Sequence, residues 1–303
     1  MKLILASNVL EHPAFADFAR AALDRYPDAG FLVSGDLLNV FPEPGENLEG
    51  SIFHELYGGN LITSEMERLV ETRFKDASSS PFLGPLRDMF LPTGPRFADA
   101  TAMARARYDI LWSKLRPVTR SHAFHCIPGN MDYPRLLEQT SASYPQVQMM
   151  DGNVVVIDGV RVGGVGGVPN TAHPFRGITE ISPYEMTDAE YERRLQALWG
   201  VDILVTHLSP QECPALETFV KTSPLQVLIC RAPFNFNRAS DFRGKREIQQ
   251  LEGKSILQVR PFDFPVNEAF VLNVEEGKLS NPLDVEVFRW QLPHHELEWE
   301  SVA

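Results

Sequence analysis

The chain is poor in cysteine and has no long hydrophobic run. Its 303 residues include three cysteines, Cys126, Cys213 and Cys230, an odd number without the close spacing of a metal site. All three lie in or beside apolar runs, which favours buried, reduced thiols and a reducing compartment. No stretch approaches the roughly 20 apolar residues that cross a bilayer, and the first apolar run is too short for a signal peptide. These absences predict a cytoplasmic protein with no membrane segment.

Basic residues are also scarce. There are 28 lysines and arginines against 40 acidic residues, and the net charge is −12. Because an acidic surface repels phosphate backbones, nonspecific binding of nucleic acid is not expected. A net charge says little about a single cleft, so a local basic pocket remains open. The hydrophobic share of 44% is that of an ordinary globular protein.

Short apolar runs recur along the chain, and each ends at a turn or a polar residue. Near-continuous apolar strands of this kind fit a sheet that is covered on both faces. Helical patterns over 13–26 and 187–198 alternate with these runs, and the second opens with a capping box. This order predicts an α/β layered fold, in which ligands bind at the carboxyl ends of strands. The predicted strands are 3–6, 31–33, 123–127, 154–157, 160–162, 201–205 and 227–230.

Residues 40–120 interrupt this pattern. They lie between two predicted strand ends and contain no clear strand, but they carry helical patterns around 64–74 and 98–115. One interpretation is a helical insertion that packs on the edge of the sheet. The other is a lid or an element that binds a protein partner, because long irregular segments in compact domains often have a function.

The C-terminal part predicts a hairpin followed by a loose tail. Two strand-like segments, 268–275 and 285–290, flank a turn at Gly277. The last residues, 296–303, follow this hairpin and are expected to form a loose tail.

Five motifs stand at the ends of predicted strands: Gly35-Asp36, Gly129-Asn130-Met131-Asp132, the glycine-rich 163–167, Thr206-His207-Leu208-Ser209-Pro210, and 270–274 with Glu275-Glu276-Gly277. Their order resembles that of the calcineurin-like metallophosphoesterase family over nearly the whole chain. The resemblance implies a single domain, 1–303, with a four-layer α/β/β/α β-sandwich and a helical insertion at 40–120. In that family the aspartate, asparagine and histidine residues at the strand ends hold two metal ions, which polarise a phosphate and activate a water.

The sequence departs from the family at most metal-ligand positions. Asn8 stands in place of the first aspartate, and Leu10 in place of its histidine partner. Met131 replaces the histidine of the family's Gly-Asn-His-Asp motif, and Arg231 stands where the final Gly-His-x-His motif has a ligand. Leu10 and Met131 cannot bind a hard divalent ion, so two-metal catalysis is not expected and no catalytic residue is assigned.

Three family ligands survive, namely Asp36, Asn130 and His207. They could hold a single divalent ion. Oxygen and imidazole ligands suit Mn, Fe or Zn. Each also has a structural interpretation that stays open: a carboxylate that caps a loop, an asparagine in a left-handed turn, and a hydrogen-bonded core histidine. The resemblance places three further residues in the same cleft: Asn8, Asp132 and Arg231.

Arg231 carries a specific expectation. In the family arrangement its position is next to the aspartate at the centre of the site, and a guanidinium stays charged at physiological pH. An Arg231–Asp36 pair would therefore replace the charge of the metals; the alternative is an arginine that reaches solvent.

Two functions follow from the resemblance. The first is a non-catalytic metallophosphoesterase-like protein without a cofactor, which binds a protein partner through residues 40–120 or a phosphate-bearing ligand. The second is a phosphoester hydrolase with one divalent metal at Asp36, Asn130 and His207. A different α/β domain that binds a small molecule is a third, more distant interpretation.

Overall fold

The chain forms a mixed α/β fold built on two mixed β-sheets. The structure is a computed structural model. It describes residues 1–9, 14–38, 95–169, 184–232, 248–259, 266–275, 278–279, 286–291 and 296–301. Within these residues it contains five helices, none of them both long and apolar enough to cross a membrane.

The strands alternate with the helices in the first two thirds of the chain and dominate the last third. The helices are α1 (Phe15–Arg25), α2 (Pro95–Thr119), α3 (Pro134–Ser141), α4 (Asp188–Ala197) and α5 (Pro214–Thr222). The strands are β1 (Lys2–Ala6), β2 (Gly30–Ser34), β3 (Phe124–Ile127), β4 (Val147–Met149), β5 (Val154–Ile157), β6 (Val160–Val165), β7 (Val168–Pro169), β8 (Glu185–Met186), β9 (Ile203–Thr206), β10 (Val227–Arg231), β11 (Ile248–Leu251), β12 (Lys254–Val259), β13 (Val266–Glu275), β14 (Lys278–Leu279), β15 (Glu286–Gln291) and β16 (Glu296–Ser301).

The first sheet has the order β16-β15-β13-β1-β2-β3-β4, with β14 paired to β13. Strands β1 to β4 run parallel, whereas β13, β15 and β16 form antiparallel pairs beside β1. The second sheet has the order β11-β12-β10-β9-β6-β5 and is parallel from β12 to β6. The carboxyl ends of β1, β2 and β3 therefore share one edge of the first sheet, and those of β6, β9 and β10 share one edge of the second.

Alternation along the strands divides their side chains between three hydrophobic clusters. In β1, Leu3 and Leu5 belong to a cluster that also contains Ile203 and Ile229 of the second sheet. The other side of the first sheet shares a cluster with α1, α2 and α3, and the other side of the second sheet shares one with α4 and α5.

The helix starts follow ordinary capping chemistry. At α4 the Thr187 side chain accepts a hydrogen bond from the backbone N–H of Glu190 at 3.2 Å, as the capping-box pattern predicts. In a full capping box the Glu190 carboxylate would accept the backbone N–H of Thr187. Here it pairs with Arg193 and Arg194 instead. Helices α3 and α5 begin with proline in the first turn, where the missing N–H has no partner to lose.

Most predicted elements are confirmed. The seven predicted strands correspond to β1, β2, β3, β5, β6, β9 and β10, although two of them begin one or two residues later than predicted. The C-terminal hairpin is the antiparallel pair β13–β15, and the cysteines are buried and free. The pattern at 98–115 lies inside α2, whereas that at 64–74 lies outside the described residues.

The expected loose tail at 296–303 is wrong, because 296–301 form β16, which pairs antiparallel with β15. Its sequence Glu-Leu-Glu-Trp-Glu alternates polar and apolar residues with period 2, which is a strand signal that the tail interpretation overlooked.

Candidate functional site

The strand ends bring Asp36, Asn130 and His207 together, as expected from the motif order. Asp36 follows β2, Asn130 follows β3 and His207 follows β9. The Nε2 atom of His207 lies 3.0 Å from Oδ1 of Asn130 and 3.3 Å from Oδ2 of Asp36. The three side chains thus point their polar atoms at one another from the edges of both sheets.

The loops that carry these residues turn sharply and pack very closely. Asn8 and Asp36 have φ values of 46° and 49°, in the left-handed region that Asn and Asp tolerate better than most residues. A Cβ on Gly129 would lie 2.0 Å from Oδ1 of Asp36, and one on Gly35 would lie 2.6 Å from Nδ1 of His207. Glycine is therefore required at both positions for the two loops and the imidazole to meet.

Protein donors cover both oxygens of Asp36. Oδ1 accepts the backbone N–H of Met131 at 3.0 Å, and Oδ2 accepts the side-chain amide of Asn8 at 3.2 Å and faces the His207 ring. Burial raises the pKa of Asp36, but the charge and hydrogen bond of His207, the Met131 N–H and the charge of Arg231 together hold it below its ordinary value. The carboxylate is thus ionised and compensated by the chain itself.

His207 is fully buried and both ring nitrogens face oxygen atoms. Nδ1 lies 3.0 Å from the carbonyl oxygen of Ser34, to which it donates, while Nε2 faces Asn130 and Asp36. An imidazolium would donate from both nitrogens, and a neutral ring would leave a lone pair on Nε2 for a cation. A ring nitrogen fixed by a backbone carbonyl is also the usual support of a metal-binding histidine.

Asp132 is a buried hub beneath the site. Its carboxylate accepts the backbone N–H groups of Leu37 at 3.1 Å, Leu38 at 3.0 Å and Gly129 at 2.8 Å. Burial and the charge of Asp36 raise the pKa of Asp132 to about 7, whereas the N–H groups of Gly129 and Leu37 lower it. Asp132 therefore does not line an open cleft; it ties the loop after β2 to the loop after β3.

Helix α2 contributes to this hub through Tyr108. Its hydroxyl donates to Oδ1 of Asp132 at 2.9 Å and accepts the backbone N–H of Tyr133 at 3.0 Å. Tyr108 is fully buried, and its pKa is raised by burial and by the nearby Asp132 charge. Part of the segment at 40–120 is thereby joined to the floor of the site, and sequence reasoning gave no signal for this contact.

Arg231 lies at the same edge, but the predicted Arg231–Asp36 pair is wrong. Its Nη2 atom donates to Oε1 of Glu212 at 2.9 Å, and its Nη1 atom donates to the carbonyl oxygen of Ala232 at 3.2 Å. The arginine does not reach solvent either, since it is only 7% exposed. It acts on Asp36 at longer range, where its charge lowers the pKa of the carboxyl. Glu212 provides a closer carboxylate that the family motifs did not include.

Glu212 also fixes the loop after β9. Its Oε2 atom accepts the backbone N–H of Ser209 at 3.0 Å and the Ser209 hydroxyl at 2.9 Å. The spacing Ser-x-x-Glu is that of a capping box, and this signal could have identified the contact in the sequence. Glu212 thus connects the His207 loop with the end of β10.

The residues that replace family ligands have other roles. Met131 packs against the cluster formed by the first sheet and its helices. Leu10 lies outside the described residues. Within the described ranges, no group of three or more His, Cys, Asp and Glu residues is placed to hold a metal ion. Any site here would need the amide oxygen of Asn130 as its third ligand.

Comparisons with known proteins give a likeness of fold only. No family model matches the chain, and no curated protein matches its sequence. The structure is similar to the crystal structure of TT1561 of Thermus thermophilus, with a TM-score of 0.51 and 14% identity over 100% of this chain and 99% of that chain. Another crystal structure aligns with a TM-score of 0.56 and 13% identity over the same shares. The chain therefore has a fold found in solved structures of the same length.

Proposed function

We propose that this chain is a metallophosphoesterase-like protein that has lost two-metal catalysis and acts by binding a phosphate-bearing ligand. The order of motifs at the strand ends supports the family. The three hydrophobic clusters support a helix, sheet, sheet, helix order of layers, because one cluster is shared by the two sheets and each of the others joins a sheet to helices.

The hydrogen bonding of Asp36 carries the proposal. In the two-metal centre that the resemblance implies, this carboxylate would help to hold both ions. Here the Met131 N–H and the Asn8 amide group donate to its oxygens, and His207 faces one of them. The chain therefore provides the compensation that two cations would provide, and the donor set does not fit a second metal.

A single divalent metal at Asp36, Asn130 and His207 is the second candidate, and the two distances from His207 are compatible with it. Ligands about 2.1 Å from one ion lie about 3.0–3.4 Å from each other, depending on coordination geometry. The two distances from His207 Nε2, 3.0 Å to Asn130 and 3.3 Å to Asp36, match this range. Such an ion would polarise a phosphoryl oxygen and acidify a bound water.

The alternative of a protein partner at residues 40–120 has less support. Residues 40–94 lie outside the described residues, whereas α2 is described from Pro95 onward. Where its side chains are described, α2 buries Tyr108, Trp112 and Leu115 against the core and exposes one large hydrophobic side chain, Ile110. A partner site needs a larger apolar patch than one residue.

Metal content and hydrolysis test the proposal together. The full-length protein is incubated with Mn²⁺, freed of excess ion, and measured for metal per chain and for hydrolysis of a generic phosphodiester. We expect at most one ion per chain and no turnover. Two ions with turnover would contradict the proposal. One ion with turnover, both lost in His207→Ala, would favour the second candidate.

A further inference from the structure

Arg231 keeps one buried donor without an acceptor. Its Nη1 and Nη2 atoms are occupied by Ala232 and Glu212, but its Nε atom is buried and has no hydrogen-bond partner among the described residues. A buried N–H of a cation that lacks an acceptor is costly, because its lost hydration is not replaced. The orphaned Nε therefore indicates that an acceptor belongs at this position.

The geometry of the guanidinium defines which acceptor fits. Nε and Nη2 point along the same edge of the planar group, and this edge binds two oxygens of a carboxylate or phosphate side by side. Glu212 uses only Nη2, since its second oxygen is bound to the N–H and the hydroxyl of Ser209. Of the two donors on this edge of Arg231, Nη2 is thus occupied and Nε is not.

Glu212 is the more exposed member of its pair with Arg231. The Glu212 side chain is 22% exposed, against 8% for that of Arg231. Displacement of the carboxylate towards solvent would uncover the Nε–Nη2 edge without unfolding β10. An anionic ligand at this edge would therefore compete with Glu212 for Nη2.

We propose that the Nε–Nη2 edge of Arg231 binds an oxyanion, a phosphate group of the ligand, which displaces Glu212. The inference rests on the proposed function and names the residue that contacts the phosphate. Exchange of the Glu212 carboxylate for a phosphate oxyanion keeps a negatively charged acceptor on Nη2 of Arg231. The oxygens of Asp36 keep their donors from Asn8 and Met131.

The test is a calorimetric titration of the metal-free, full-length protein with inorganic phosphate. Glu212→Gln removes the competing charge and keeps the shape of the side chain. Glu217→Gln is the matched control, because Glu217 is 44% exposed and pairs with Lys221 at 2.6 Å instead of Arg231. We expect Glu212→Gln to bind phosphate at least about tenfold more tightly than the wild type, as expected when a charged hydrogen bond no longer competes. Glu217→Gln should stay within about twofold.

A second variant tests the fork itself. Arg231→Lys, introduced with Glu212→Gln, keeps the positive charge and removes the Nε–Nη2 edge, so phosphate affinity should fall at least about tenfold. Equal phosphate affinity of Glu212→Gln and Glu217→Gln would overturn the proposal, whether or not the lysine variant folds. So would phosphate binding that requires added Mn²⁺. Turnover with two bound metals would instead refute the proposed function, and it is measured in a separate assay.

Discussion

The two halves of the site are held in different ways. On the first sheet, the Asp132 carboxylate gathers the backbone N–H groups of Leu37, Leu38 and Gly129 and so joins two loops. On the second sheet, side chains make the connection, since Glu212 binds both Ser209 and Arg231.

The difference separates the rigid part of the site from the exchangeable part. Backbone donors are present whatever side chains surround them, and a side chain at position 129 would collide with Asp36. Glu212 is partly exposed, whereas its partner Arg231 is buried and keeps an unpaired Nε donor among the described residues. In the proposed function, the first half would keep the loops in place, and the second half would hold the position at which phosphate replaces Glu212.

Asp132→Ala should have the largest effect. It leaves three backbone N–H groups and the Tyr108 hydroxyl without their acceptor in a fully buried position. We expect a loss of about 3–5 kcal/mol in the free energy of unfolding, measured by urea denaturation. Asp132→Asn, which keeps one acceptor oxygen, should lose less. If both variants were as stable as the wild type, the first half of the site would not depend on this hub.

Breaking the pair on the second sheet should have a smaller effect. Arg231→Ala leaves Glu212 with the Ser209 contacts and partial exposure, so the expected loss in the free energy of unfolding is about 2–3 kcal/mol. The double variant Arg231→Ala with Glu212→Ala should lose less than the sum of the two single variants. Additive losses in the same denaturation experiment would mean that the ion pair contributes no coupling.

Tyr108→Phe should have the smallest effect of the three. It removes the two hydrogen bonds of the Tyr108 hydroxyl, to Asp132 and from the Tyr133 N–H, with an expected loss of about 1–2 kcal/mol. Tyr191→Phe is the matched control, because the buried Tyr191 hydroxyl has no partner among the described residues. The control should be neutral or stabilising. Equal thermal midpoints for the two variants would contradict a role of α2 in the site.

Sequence reasoning predicted the part of the site that depends on strand ends. Asp36, Asn130 and His207 each follow an apolar run. Parallel pairing of β2 and β3 brings Asp36 and Asn130 to one edge of the first sheet, and His207 meets them from the corresponding edge of the second sheet. The partner of Arg231 was not predictable from the family order alone, because Glu212 lies in a loop outside the family motifs. The Tyr108 contact joins segments that no motif connects. Long-range side-chain contacts of this kind depend on packing and have no periodic signal.

The central claim is that protein donors have replaced the two metals at Asp36. A crystal structure of the protein grown with Mn²⁺ and measured at the manganese absorption edge tests it most directly. The account predicts at most one anomalous peak near Asp36, Asn130 and His207, with the Asn8 amide still on the Asp36 carboxylate. Two peaks about 3.5–4 Å apart that share Asp36 would contradict it.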